Sequence, residues 1–239
     1  MSSETTRGKW QVISGSWLKL LAMATMLVDH LAAFYLCNDS RFLEPLFMIG
    51  HKYVCVYALL RIMGRLSFPI FAFLVVEGFL HTHDRRKYGR NLFLFALLSE
   101  LPWNLVHTGT WHCTSQNVLF TLLAGYLGLC AIERFRRDRR KLALSLIGLL
   151  ALTVLLRADY GCSGYGFILL LYVLRRQPLL QAVIGSCVLG SRWIAGLAFI
   201  PINMYNGQRG FIRGPFAKYL FYLFYPLHLF VIYWLLRAR

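Results

Sequence analysis

The chain has 239 residues, 58% of them hydrophobic, 15% aromatic and only 15% charged, against about 25% charged in ordinary soluble domains. A soluble domain of this length cannot hide that much apolar surface, whereas a bilayer accepts it. The net charge of +16 does not imply nucleic acid, because the basic residues stand in short blocks between apolar runs and form no single basic face.

A membrane-spanning helix needs roughly 20 mainly apolar residues. Runs of that kind fall at about 16–37, 53–81, 90–107, 117–134, 142–158, 164–175, 179–200 and 217–236. The expected fold is an all-α, polytopic integral membrane bundle of about eight transmembrane helices, one domain over 1–239 with 1–15 as a cytoplasmic segment. The first run is interrupted by Asp29 and His30, and no small-residue cleavage site follows Cys37, so it reads as a span and not a cleaved signal. Gly64, Arg65 and Pro69 divide the second run, which predicts an interfacial helix over 46–63 before a span at 65–81. Glu77, near the inner end of that span, is expected to pair with the basic loop that follows. His81 and His83 in this region lack further ligands at metal spacing. The sixth run is short and opens on Gly161, Gly164 and Gly166, as a tilted or broken helix shielded by protein would. Pro69, Pro102 and Pro226 break or kink helices.

Orientation follows from Lys and Arg. With an inner N-terminus and eight spans, sixteen of the 26 fall in inner segments, among them Arg7, Lys9, Arg237 and Arg239. Six fall outside: Arg41, Lys52, Arg157, Arg209, Arg213 and Lys218. This bias places both termini in the cytoplasm. The loop 201–216 is the weak point, and a hairpin in place of span seven would change the count by one. The inner block Arg134–Lys141 suits anchorage on anionic lipid or attraction of a polyanionic cytoplasmic ligand. No repeat relates the two halves. None of the six cysteines has metal or redox spacing; Cys113 and Cys162, in expected outer loops, are the two that could bond.

Charged groups at mid-membrane cost roughly 2.5–3.5 kcal/mol on insertion scales, so their presence asks for a reason. Asp29, His30, Arg65, Glu100, Asp159 and His228 lie within or at the ends of the runs, joined by Asn104, Asn117 and Tyr160. At 1.5 Å of rise per residue, they map to the middle or outer half. Two histidines, acids and an arginine at one depth suggest a site, although a structural polar network would also gather them. Neighbouring helix residues point about 100° apart, so Asp29 is expected to pair with Arg65, leaving His30 to find Asp159 or Asn117. Histidine titrates near neutrality and suits proton transfer.

Five segments, "MLVDH", "GRLSFPIFAFLVVEG", "QNVLFTLLAG", "DYGCSGYGFILLL" and "FYPLHL", together resemble the TraX family, in order, from about Leu18 to Leu229. A named member of that family acetylates the N-terminus of a conjugative pilin. The resemblance implies a multi-span acyltransferase of the bacterial inner membrane. It would move an acetyl group from cytoplasmic acetyl-CoA, its co-substrate with no metal, to an acceptor at the outer face: a protein N-terminus, a lipid or a glycan. It implies His30, Asp29 and Arg65 as catalytic residues. Asn117, Asp159, Tyr160, His228 and Glu100 become substrate-binding candidates. Arg85, Arg86, Lys87 and Arg137 would attract the polyanionic coenzyme. The partners expected are thus the lipid bilayer, acyl-CoA and an acceptor, without nucleic acid. Two other readings stay open: a proton-coupled small-molecule transporter, since midplane ionisable groups and broken helices occur there, and a scaffold whose polar layer only fixes packing.

Overall fold

The computed structural model describes residues 10–50, 52–212 and 214–238. Arg7, Lys9, Arg213 and Arg239, with the side chains of Lys52, Arg192 and Lys218, lie outside what is described, as do the first nine residues of the segment read as cytoplasmic. The fold is all-α apart from one small hairpin. Helix α1 (Gly15–His30) runs on as a π-helical turn at Leu31–Tyr35 and a 3-10 turn at Leu36–Asn38. A short α2 (Ser40–Leu43) leads to β1 (Pro45–Ile49) and β2 (Lys52–Cys55), which pair antiparallel. Then come α3 (Val56–Gly64), α4 (Ser67–His81), α5 (Arg85–Thr108), α6 (Val118–Arg134), α7 (Arg139–Leu155) and α8 (Gly161–Val173). The chain closes with α9 (Pro178–Val188), a 3-10 stretch Gly190–Ala198, α10 (Phe199–Asn203) and α11 (Pro215–Arg237).

The interfacial helix expected over 46–63 is only its second half, α3. Residues 45–55 form the hairpin, where Phe47, Tyr53 and Val54 favour strand. Several helix starts are fixed by side chains that cap the first turn. Asp84 accepts from the Lys87 N–H at 2.8 Å, Asn117 from Leu119 at 3.0 Å and Asp138 from Lys141 at 3.0 Å.

Contacts between helices fix their directions. The start of α1 is bonded to the segment before α11: Ile13 N–H donates to Met204 O at 2.9 Å, and Gly15 N–H to Gln208 O at 2.8 Å. Further along, Lys19 lies over the Phe221 ring and His30 meets His228, so α1 and α11 run parallel. Helix α5 runs the same way, with Phe95 stacked on Tyr222 near one end and Glu100 beside Tyr225 further on. Arg237 therefore stands at the opposite end of the bundle from Ile13, which corrects the expectation that both termini share a side. The reason is α9. Its 11 residues rise about 16 Å, half a bilayer. The chain then doubles back, with Gly196 against Ser186 and Phe199 against Gly185. The run 179–200 is a half-depth hairpin and not a span, and 201–216 returns to the end where α1 begins. Arg209 thereby joins the arginine-rich end, and Arg237 leaves it.

The core runs the length of the bundle. Leu18, Ile70, Phe79, Tyr126, Leu129, Phe167, Leu171 and Leu229 are wholly buried. A Cβ on Gly125 would strike Ile168, so this glycine lets α6 and α8 approach closely, as small residues do between membrane helices. Large apolar side chains cover the outside, among them Leu144, Leu155, Leu179 and Val183. Three stretches, Gly15–Asn38, Val56–His81 and Tyr219–Arg237, are long and apolar enough to cross a membrane, with shorter apolar helices at Gly161–Val173, Pro178–Val188 and Ile194–Asn203. These apolar helices fit a membrane protein.

Candidate functional site: a buried histidine pair

The polar residues singled out in the sequence gather at the end where α1 finishes. Its last residue, His30, places Nδ1 2.6 Å from Nε2 of His228 on α11. The two rings are 3° from parallel with centroids 4.9 Å apart, so they meet edge to edge with the nitrogen lone pair and N–H in line. His228 is only 6% exposed, and its Nδ1 lies 2.7 Å from the carbonyl oxygen of Phe224, one helical turn back. A carbonyl only accepts, so His228 Nδ1 carries a proton. In the neutral ring Nε2 is then an acceptor, and His30 Nδ1 must donate to it. What remains is the lone pair on His30 Nε2, the free basic atom of the pair. Expectation had given His30 to Asp159 or Asn117; the structure gives it His228.

Asp29 is held differently from what the sequence suggested. Its carboxylate pairs with Arg61 at 2.7 Å, not with Arg65, and Arg61 also donates to the Asp29 carbonyl at 3.2 Å. Arg65 remains within electrostatic range of Asp29, as does Asp159. The correction has a geometric cause. Helix α3 lies antiparallel along α1, and Arg61, one turn before Gly64, faces it. Between Gly64 and Ser67 the helix tightens, the Arg65 and Leu66 N–H groups donating three residues back to Ile62 and Met63 at 3.2 Å, so Arg65 does not simply continue the face of Arg61. Gly64 itself presses on Asp29, since a Cβ there would strike the Asp29 side chain. The first residue of the "GRLSFP" segment is thus a contact point of the site.

Asn117 and Glu100 form a clasp between α5 and α6. The Asn117 backbone N–H donates to Glu100 at 3.1 Å, and its side-chain amide donates to Glu100 and to Ala96 O. Asn117 is 0% exposed, and with its oxygen capping Leu119 its groups are all engaged, so it has no donor left for a substrate. Asp159 and Tyr160 sit in the turn before α8. The Gln116 N–H donates to Arg157 O at 3.3 Å and the Asp159 N–H to Gln116 O at 2.9 Å, the Asp159 carbonyl accepts from Thr121, and Tyr160 takes a left-handed backbone with φ of 64°. The Tyr160 ring stacks on Phe68 at 3.8 Å. Gly164 is required there, because a Cβ would meet Tyr160, Thr121 and Phe68.

Two residues not singled out as site candidates stand at this site besides Arg61. His107 lies within electrostatic range of His30, its ring edge against Phe34. Tyr225, in the "FYPLHL" segment, packs its ring against both histidines. Its hydroxyl is buried beside the Val118 backbone N–H and near Asp159, Glu100 and Tyr160. The signal for Tyr225 was available: three residues before His228, it lies on nearly the same helix face.

The remaining sequence candidates are elsewhere. Arg85, Arg86 and Lys87 open α5 and Arg137 sits in the turn after α6, all exposed at the other end of the bundle. Arg85 lies over the Phe79 ring at 4.3 Å. Glu77 pairs with His81 at 3.6 Å and accepts from the Tyr205 hydroxyl, within its own end of the bundle. All six cysteines are free, with Cys113 buried and Cys162 exposed, so the two that could have bonded are not joined. Among the described residues no group of His, Cys, Asp and Glu is arranged to hold a metal.

The fold and site define a helical bundle that fits a membrane, with a histidine pair enclosed where α1, α3, α5 and α11 meet. The family model described as TraX protein matches residues 14–237, and the chain belongs to the TraX family. A curated relative, the probable fimbrial assembly protein FimC, serogroup H1, of Dichelobacter nodosus, is 29% identical over 242 residues, covering 89% of this chain and 91% of the relative. No solved structure matches.

Proposed function

We propose that the protein is a membrane acyltransferase. It takes an acetyl group from cytoplasmic acetyl-CoA and delivers it to an amine or hydroxyl at the far face of a bacterial cytoplasmic membrane. Membership of the TraX family and likeness to a fimbrial assembly protein favour a pilin N-terminus as acceptor. The observation that carries the reading is the His30–His228 pair, which leaves His30 Nε2 as its one basic nitrogen.

The chain is read as crossing the membrane seven times, with 178–203 as a half-depth hairpin. The arginine-rich end, including Arg85, Arg86, Lys87 and Arg137, faces the cytoplasm and attracts the polyanionic coenzyme. In the reaction, His30 Nε2 removes a proton from the acceptor as its nitrogen or oxygen attacks the thioester carbonyl carbon. The carbon–sulfur bond breaks, and the departing thiolate takes the proton back from His30. His228 fixes the tautomer and stabilises the imidazolium through its Nε2. Arg65 and the Tyr225 hydroxyl are the donors for the oxyanion, a role worth most in a dry site. Asp29, held by Arg61, sets the electrostatics around His30, and Asp159 and Tyr160 shape the acceptor side.

The test uses inside-out vesicles from cells expressing the protein with a pilin, supplied with acetyl-CoA labelled on the acetyl group. Label should enter protein, lipid or glycan with the wild type and fall by at least about 100-fold with His30→Ala, the range of general base catalysis. Full transfer by His30→Ala would refute the assignment. The competing reading, a proton-coupled transporter, also uses paired buried histidines. It predicts gradient-driven solute movement and no consumption of acetyl-CoA.

A further inference from the structure

Away from the histidine pair, at the arginine-rich end, a groove of about 470 Å³ opens between α5 and α11, lined by Arg90, Asn91, Leu94, Phe95, Leu98 and Tyr219. Arg90, Leu94 and Leu98 recur every four residues and so share one face of α5, with Asn91 and Phe95 in the next row. From Arg90 to Leu98 the rise is about 12 Å. The groove is therefore cationic at one end and apolar for two turns beyond. Phe95, stacked on Tyr222 at 4.9 Å, gives it a rigid floor.

The polar end holds unused donors. Arg90 forms no ion pair among the described residues. Asn91 is only 5% exposed, and its Nδ2 is buried with no hydrogen-bond partner. A buried amide left unpaired is costly, and here it borders a cavity with no carboxylate on its walls. Leu94 and Leu98, by contrast, are 52% and 53% exposed, so the apolar part opens sideways, where lipid tails would lie.

We propose that this groove binds an anionic phospholipid. The phosphate sits on the Arg90 guanidinium and the Asn91 amide, and one acyl chain lies along Leu94 and Leu98 against Phe95 and Tyr219. The blocks flanking Arg90, with Arg85, Arg86 and Lys87 one turn away, favour an anionic headgroup at this membrane surface, and a phosphate accepts two N–H bonds from one guanidinium. The proposal does not depend on acyl transfer.

The experiment compares the purified full-length protein in nanodiscs of phosphatidylglycerol and of phosphatidylcholine with the same chains. Lipid retention is read by native mass spectrometry, and the unfolding midpoint by heating. Phosphatidylglycerol should raise the midpoint and remain bound. Arg90→Gln, on an exposed side chain, should lower its retention about tenfold, as loss of a charged hydrogen bond does. Arg140→Gln should leave it unchanged, and Asn91→Leu should reduce it if that variant folds. Equal retention by the wild type and Arg90→Gln would overturn the proposal, and so would equal effects of the two lipids. Reproduction of the stabilisation by inorganic phosphate or free coenzyme A in phosphatidylcholine would assign the groove to a soluble anion and overturn it too.

Discussion

The two ends of α5 use polar side chains in opposite ways. At its start, the Tyr126 hydroxyl donates to the Arg85 carbonyl at 2.7 Å, the Tyr172 hydroxyl donates to Glu133, and Arg175 donates to the Tyr172 carbonyl at 2.7 Å. Arg85 and Arg175 also lie over the Phe79 and Tyr172 rings. These groups hold one another, and aromatic rings fill the space between them. Towards its far end, Asn104 keeps a buried oxygen without a partner, and His30 Nε2 is the basic nitrogen left over once the histidine pair has formed. A packed protein satisfies its buried polar groups, and apart from the Asn91 amide that borders the groove the first arrangement is what packing requires. The second leaves a buried acceptor and a base in one layer, which stability does not explain.

The sharpest way to break this contrast is to attack the ion pair beneath the site. Asp29 and Arg61 are mostly buried, at 18% and 25% side-chain exposure, and removing one member of a buried pair costs about 3 kcal/mol or more. Arg61→Ala should therefore lower the unfolding midpoint markedly. Arg65→Ala should cost less stability but still impair transfer. If Arg65→Ala proved the more destabilising, the pairing seen here would be wrong.

Next in size is the histidine relay. His228→Phe keeps the aromatic packing but removes the acceptor for His30 Nδ1–H, and should reduce transfer by about 10- to 100-fold. His228→Gln can donate to Phe224 O through its amide and accept from His30 through its oxygen, so it should recover much of the loss. The pH profile is the second readout. A relay role predicts that the variants shift the pH dependence of kcat, whereas a packing role predicts equal loss at every pH. At the opposite end, Tyr126→Phe removes one hydrogen bond and should cost about 1 kcal/mol of stability with transfer unchanged.

Much of the polar layer was legible because hydrophobic sequence makes any ionisable residue conspicuous: Asp29, His30, Glu100, Asn117, Asp159 and His228 do converge. Partner choice was not legible, because it depends on which face a helix turns after a break. Arg61 and Arg65 are four residues apart, yet the helix tightens after Gly64 and Arg65 does not simply continue the face of Arg61. The course of the chain was misread for a related reason. The run 179–200 has the hydropathy of a span, but Gly185 and Gly196 let it fold back on itself at close range, and hydropathy cannot see that. The reversal carries α11 in the direction of α1, and in that direction His228 lies level with His30.

The smallest effect should come from the arginine-rich surface, where Asp138 caps α7. The Lys141 backbone N–H bonds its carboxylate at 3.0 Å and the Lys141 ammonium approaches to 3.2 Å, which together hold Asp138 below the usual carboxylate range. A depressed folded value means that the carboxylate favours the folded state above the unfolded value, about 3.9. That contribution disappears as pH falls through the lower, folded value. Asparagine caps a helix about as well as aspartate, so Asp138→Asn isolates the charge. The variant's unfolding midpoint should lie slightly below wild type at pH 7, and the gap should close between about pH 4 and pH 3. Because both side chains are well exposed, raising the salt concentration should shrink the gap as well. A gap that widened on acidification would mean that the carboxylate is not stabilised by folding. The arginine-rich end would then hold a strained charge of its own, and the contrast between the two ends of α5 would fail.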